Sequence, residues 1–245
     1  MITIDAQGME FAALNRQVRE AVAAGARRVK IINVNGQRYI GCGLKADIKI
    51  EVEGVAGADM AAFMDGPEIR VSGSAEAAIA NTMNAGKVVI QGNVGDVAGY
   101  AMRGGKMFIR GDAGYRVGIH MKSFQDKIPV IVVGGVAQDF LGEYMAGGIL
   151  IVLGLNQEGT RPIVGRFVGT GLHGGAIYVR GDVTREQVSR ELTPQEAGPE
   201  DMKLLKRVLK EYCQDMGLKL DEVMSRPFVK LAADSHRPYQ RLYAY

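Results

Sequence analysis

Residues 86–111 read GKVVIQGNVGDVAGYAMRGGKMFIRG, in which the strand-like KVVIQG92 returns 19 residues later as KMFIRG111. Working outward, the same unit recurs as IKIEVEG54, EIRVSG73, PVIVVG134, ILIVLG154 and AIYVRG181, so the seven closing glycines stand 19, 19, 19, 23, 20 and 27 residues apart. A period of this length is the mark of one supersecondary unit stacked many times. Two positions before each glycine lies Val52, Val71, Ile90, Ile109, Val132, Val152 or Val179, and four before it Ile50, Ile69, Val88, Met107, Val130, Leu150 or Ile177. Side chains alternate along a strand, so both aliphatic columns share one side and form a continuous core when the strands stack.

A second ladder precedes each strand. A small residue stands three positions before a Met or Leu in Gly41/Leu44, Ala61/Met64, Ala80/Met83, Gly99/Met102, Gly118/Met121, Gly142/Met145 and Gly169/Leu172. Small residues let the backbone turn close to the next coil, and the Met or Leu fills the space beside it. The expected fold is an all-β solenoid, a right-handed parallel β-helix of about seven coils. Six steps of about 4.8 Å make it a rod about 29 Å long.

The ends differ from the repeat. Phe11, Leu14, Val18 and Val22 recur at helical spacing and predict a helix ending near Gly25. RVKIINV (28–34) and Gln37 to Ile40 read as two strands joined by an Asn35-Gly36 hairpin turn. After Thr184 the repeat stops, and Met202, Leu205, Leu209, Tyr212, Leu218 and Val223 predict helices, with Asp201 in a first turn and Gly217 as a stop. The domains expected are therefore 1–40, a helix and hairpin packing on the first coil; 41–184, the β-helix; and 185–245, a helical tail whose aromatic and basic end is packed.

The 33 glycines are explained by the repeat, and 47% apolar with 23% charged residues is ordinary for a globular protein. The net charge of +3 is spread along the chain without a basic stripe, which points away from nucleic acid. No run of eighteen apolar residues or secretory leader occurs, so a cytoplasmic protein that does not enter a membrane is expected. Cys42 and Cys213 are too far apart for a CxxC pair and too few for a cluster.

Gly169-Thr-Gly171-Leu-His-Gly174 fits the GxGxxG dinucleotide fingerprint, but it leads into the strand AIYVRG where that fingerprint needs a helix, and Gly169 already belongs to the corner ladder. Gly41-Cys-Gly43 has the same context. His120, His173 and His236 lack metal spacing, and Asp59, Asp96, Asp112, Asp139 and Glu143 are read as lying in different columns. No catalytic, cofactor-binding or metal-binding residue is assigned. The outward column Glu51, Arg70, Val89, Phe108, Ile131, Ile151 and Tyr178 turns apolar at the third coil, so something must cover it: the carboxyl-terminal helices or another protein.

The segment NVNGQRYIGCGL (33–44), the repeated small-x-x-Met corner and the closing PFVKL (227–231) with Tyr-Gln-Arg-Leu (239–242) resemble the GXGXG-repeat family, in particular the carboxyl-terminal β-helix domain of the glutamate synthase large chain and its free-standing relatives. A related repeat occurs in the C subunit of formylmethanofuran dehydrogenase, and the coils alone do not separate the two. The resemblance implies a scaffold without a reaction of its own. Its partners would be a class II glutamine amidotransferase chain and a flavin-dependent synthase chain, with FMN and an iron–sulfur cluster in the partner and no cofactor here. Met1-Ile2 does not supply the amino-terminal cysteine of a glutaminase. An enzyme acting in a groove of the β-helix would need acids or bases clustered on adjacent coils. An assembly module of some other amidotransferase-linked oxidoreductase is the third reading.

Overall fold

The structure is a computed structural model that describes residues 1–157 and 161–233. Seven strands carry the repeat: β3 (Lys49–Val55), β4 (Asp65–Val71), β5 (Ala85–Ile90), β6 (Lys106–Ile109), β7 (Val130–Val133), β8 (Ala146–Val152) and β9 (Gly174–Arg180). Each pairs in parallel with the next, so six turns of a parallel β-solenoid separate the first from the last. Before them stand β1 (Ile2–Asp5), α1 (Phe11–Ala23) and β2 (Arg28–Asn35). After them come β10 (Gln195–Glu196), α2 (Pro199–Met216), α3 (Leu220–Val223) and β11 (Phe228–Ala232). The sheet runs β1 to β9 in sequence order and then β11 and β10, both antiparallel.

The two inner columns are observed with one correction. Ile109 stands beside Val133 and Met107 beside Ile131, so in β7 the residues facing the core are Ile131 and Val133, not Val130 and Val132. The cause is the doubled glycine after the strand. Gly135, rather than Gly134, donates to Gly111 O at 2.8 Å and accepts from Gly154 N at 2.9 Å. Since the strand period is two, counting from the wrong glycine moves every side chain of β7 to the opposite side.

The hairpin expected at Asn35-Gly36 is absent, and Gln37 to Ile40 is not a strand. β2 pairs in parallel with β3 through Val29 and Ile50 and through Ile31 and Val52, which stacks its apolar side on the first coil; a hairpin would forfeit that burial. Gly36 takes the left-handed φ of 81° that the turn required, but Gln37, buried, redirects the chain by donating to Ala6 O at 3.0 Å and Met9 O at 3.2 Å. β1, on the far side of β2, escaped notice because four residues with one buried side chain carry no readable alternation.

The tail, not a foreign protein, covers the outward apolar side. Leu205, Leu209 and Tyr212 of α2 are fully buried against Val89, Phe108, Val132, Ile151 and Tyr178. The Tyr212 ring meets Phe108 edge-on at 5.6 Å and its hydroxyl donates to Ile109 O at 3.1 Å. α2 ends as expected, with Gly217 in the left-handed conformation at φ 65°, and Asp201 accepts from Gly198 N at 3.0 Å at its start. Where the outward side of the strands is charged, at Arg70 and in the neighbouring column at Lys87 and Lys106, α2 answers with carboxylates: Asp215 pairs with Arg70 at 2.6 Å and with Lys87, and Glu211 with Lys87 at 2.8 Å and with Lys106. His236 and the Tyr-Gln-Arg-Leu segment lie outside the described residues.

Ile109 has no exposed surface and touches neighbours in two coils. Ile109→Asp is expected to destabilise by about 3 kcal/mol or more, because a buried carboxylate there finds no partner; a chemical-denaturation midpoint equal to wild type would refute the column. The clamp on α2 gives a pH prediction. Burial opposes ionisation of Asp215 and Glu211, but the bonds from Lys87, Arg70 and Lys106 prevail and hold both below their ordinary 3.8 and 4.5. Groups whose values fall on folding stabilise above the unfolded value, and that contribution disappears as pH falls through the lowered one. Stability should thus fall as the pH drops below the ordinary carboxylate values, and the fall should shrink in Glu211→Gln/Asp215→Asn. Melting curves with the same slope against pH in both proteins would exclude the clamp.

Candidate partner-docking surface

Each corner of the solenoid is built on three alternating residues in the left-handed region: Tyr39/Gly41/Gly43, Asp59/Ala61/Phe63, Ala78/Ala80/Thr82, Val97/Gly99/Ala101, Arg116/Gly118/His120, Phe140/Gly142/Tyr144 and Phe167/Gly169/Gly171. All 21 have φ between 50° and 74°, and 14 of them are not glycine. The middle residue points inward: a Cβ on Gly118 would overlap Leu150 Cδ1, and one on Gly142 would overlap Ile177 Cδ1. That is why the column tolerates only Gly and Ala. The middle N–H bonds back to the preceding coil, as Gly118 N to Ala98 O at 2.8 Å, while the flanking ones bond forward, as Arg116 N to Asp139 O at 3.0 Å and His120 N to Glu143 O at 2.9 Å.

The flanking residues and those next to them leave aromatic rings in water. Phe63 (53% exposed), Tyr100, Tyr115, Tyr144 and Phe167 (50%) supply five of the seven exposed large aromatic residues among those described. Two stacks run along this side. His120 lies against Tyr144 at 5.3 Å and Tyr100 at 5.9 Å, and Arg116 sits 4.5 Å over Phe140, itself stacked on Phe167 at 5.0 Å. Arg116 also bonds Glu143 at 3.0 Å. Tyr and Arg presented on a rigid frame are the residue types that dominate binding energy in protein interfaces.

The residues weighed for chemistry fall as follows. Gly169 and Gly171 of the GxGxxG segment are corner residues leading into β9, and Gly41 and Gly43 lead towards β3. Asp96 and Asp139 share a column, which corrects the reading that all the acids lie apart, but Tyr115 stands in the coil between them. Each carboxylate caps the next coil, Asp96 accepting from Tyr115 N at 2.9 Å and Asp139 from Arg166 N at 2.8 Å. Asp112 does the same for Val136 N at 2.9 Å in another column. Asp59 and Glu143 pair with Arg38 and Arg116. Among the described residues no group of three or more His, Cys, Asp or Glu gathers to hold a metal ion, and no helix is long and apolar enough to cross a membrane. Sequence reading missed the aromatic stacks, although reading two residues either side of each small corner residue would have displayed them.

These corners define a class of repeat protein, a solenoid of alternating left-handed turns. The GXGXG motif family matches residues 12–233, and the chain belongs to it. It is 46% identical over 250 residues to an uncharacterized protein of Methanocaldococcus jannaschii, covering 99% of this chain and 96% of that protein. Its fold is similar to that of a chain in the formyltransferase/hydrolase complex of Methylorubrum extorquens, solved with methylofuran, with a TM-score of 0.64 and 21% identity over 84% of this chain and 72% of that one.

Tyr144→Asn/Phe167→Asn removes two exposed rings while keeping a residue type that tolerates positive φ. The double variant is expected to melt within a few degrees of wild type yet to capture at least tenfold less of whatever protein wild type retains in a pull-down; undiminished capture would mean that these rings form no docking surface.

Proposed function

We propose that the chain is a non-catalytic scaffold subunit of a glutamate synthase-type complex. It would work beside a class II glutamine amidotransferase chain and an FMN-dependent synthase chain that also carries an iron–sulfur cluster. In such a complex ammonia released from glutamine condenses with 2-oxoglutarate, and a two-electron reduction yields glutamate; this chain would fix the relative positions of the two sites. The observation that carries the reading is the division of the surface. The strand side is sealed by the chain's own α2, while the corner side presents stacked aromatics and Arg116. A rigid rod with one sealed and one adhesive side suits assembly, and the acids in its columns are spent on capping backbone N–H groups. The choice of complex rests on NVNGQRYIGCGL and PFVKL, which lie at the end of β2 with the first corner and in the capping strand β11.

A second reading, a subunit of a formylmethanofuran dehydrogenase or a related formyl-transferring complex, is favoured by the fold likeness to a chain of the formyltransferase/hydrolase complex. Affinity isolation of the tagged chain from its native cells decides between them. Supplied with an artificial electron donor that reduces the flavin, the expected isolate converts amide-labelled glutamine and 2-oxoglutarate to labelled glutamate, and depleting the tagged chain abolishes glutamine-dependent synthesis while ammonia-dependent synthesis persists. Co-isolation with formyl-transferring chains, or isolation of the chain alone, would overturn the first reading.

A further inference from the structure

At the far end of the rod, the turn after β8, the end of β9 and the segment after α3 enclose an open cleft of about 1140 Å³. Its lining includes Arg180, the last residue of β9, together with Arg226, Arg166 and Gly181. Arg180 is 7% exposed. Its Nε donates to Val223 O at 2.7 Å, and Nη2 donates to Glu222 O at 3.2 Å and Ser225 Oγ at 3.2 Å. These bonds brace the end of α3, but every acceptor is neutral. Among the described residues no carboxylate pairs with this guanidinium and no acceptor bonds Nη1. Burial, and then the like charge of Arg226, disfavours its protonated form.

Two cations that line one cleft, one of them buried, are costly unless something negative completes them. Three acids line the cleft: Glu222 pairs with Lys219 at 3.1 Å, Glu186 is held by Thr184 and its own backbone, and Asp182 stands exposed, none of them in an ion pair with Arg180 among the described residues. A brace alone would explain Nε and Nη2 but neither the spare Nη1 nor the approach of a second arginine. We propose that this cleft binds a small molecule through a terminal oxyanion, phosphate or carboxylate, gripped between Arg180 on the floor and Arg226 on the rim. Guanidinium groups suit such planar or trigonal oxyanions, and the open cleft is slightly larger than the few hundred to about 1,000 Å³ usual for small-ligand sites. The proposal does not depend on which complex the chain joins.

The test uses the isotope-labelled full chain, titrated at constant ionic strength with sodium phosphate and separately with sodium glutarate, each followed by amide NMR shifts. Saturable shifts at Gly181, Val223, Met224, Ser225 and Arg226 are expected with at least one of the two anions, and the responding anion identifies the ligand chemistry. Arg226 is exposed, so Arg226→Gln should fold and melt as wild type while binding at least fivefold more weakly, and Arg226→Lys should restore part of the affinity. Linear or scattered shifts with both anions, or equal affinity in Arg226→Gln, would overturn the site.

Discussion

A left-handed backbone costs an L-residue about 1–2 kcal/mol relative to the right-handed one, and this protein accepts it at Ala61, Ala80, Val97, Arg116 and nine further non-glycine corner residues besides Phe140. What maintains them is the alternation. Successive left-handed residues send their N–H groups backward and forward to neighbouring coils, as Asp59 N to Ala77 O at 3.1 Å and Ala61 N to Ile40 O at 2.8 Å. Each corner between the first and the last is thereby fixed by the coils on both sides. Strained residues persist where the surroundings over-determine them, and here the surroundings are copies of the same strain. The Met or Leu that closes each turn, with Met64, Met83, Met102, Met121 and Met145 fully buried, then fills the space between corner and strands.

From this constraint the division of labour on the surface follows. The inner columns and middle corner residues are consumed by stacking. The strand side cannot stay bare because Val89, Phe108, Val132, Ile151 and Tyr178 form an apolar stripe, and α2 covers it with its own apolar side and a row of carboxylates matched to Arg70, Lys87 and Lys106. Unpaired strand edges at the ends of a solenoid invite unwanted pairing. Here β11 closes the far edge by running antiparallel to β9, and β2 with β1 and α1 extends and covers the near one. The aromatic corner is the part of the surface that the fold neither uses nor hides.

The period, the inner columns and the corner ladder were legible because each is a column repeated seven times, and so was the need for a cover over the outward stripe. The register of β7 was not, since Gly134-Gly135 offers two anchors and only the second restores a 19-residue step to Gly154. Asn35-Gly36 had the local chemistry of a hairpin, but parallel stacking on β3 buries more than a two-residue turn can return. Left-handed geometry at Val97, Arg116 or Phe167 leaves no mark on residue type, because the long-range bonds impose it. Arg180 and Arg226 approach each other only because β11 returns the chain to β9, a long-range event with no periodic signature.

The irregular spacings carry a different kind of information. Between Gly111 and Gly135 the step is 24 residues, and between Gly154 and Gly181 it is 27. The extra residues enter at two places only: between Met121 and β7, where the hydrogen-bonded turn from Phe124 to Lys127 protrudes, and between Gly154 and Val164, beside the far-end cleft. In both coils the corner triplet and the inner columns stay in register. A stacked array admits insertions only where no column passes. Stacking therefore does not determine the residues there, and whatever distinguishes this chain from a bare solenoid has those two sites available. One of them exposes Phe124 and Ile128 to solvent. From the other, Gly154 to Gln157 and Arg161 to Ile163 line the cleft that also holds Arg180, so the longer of the two insertions meets the one buried guanidinium among the described residues, which no carboxylate pairs there, at the end of the rod.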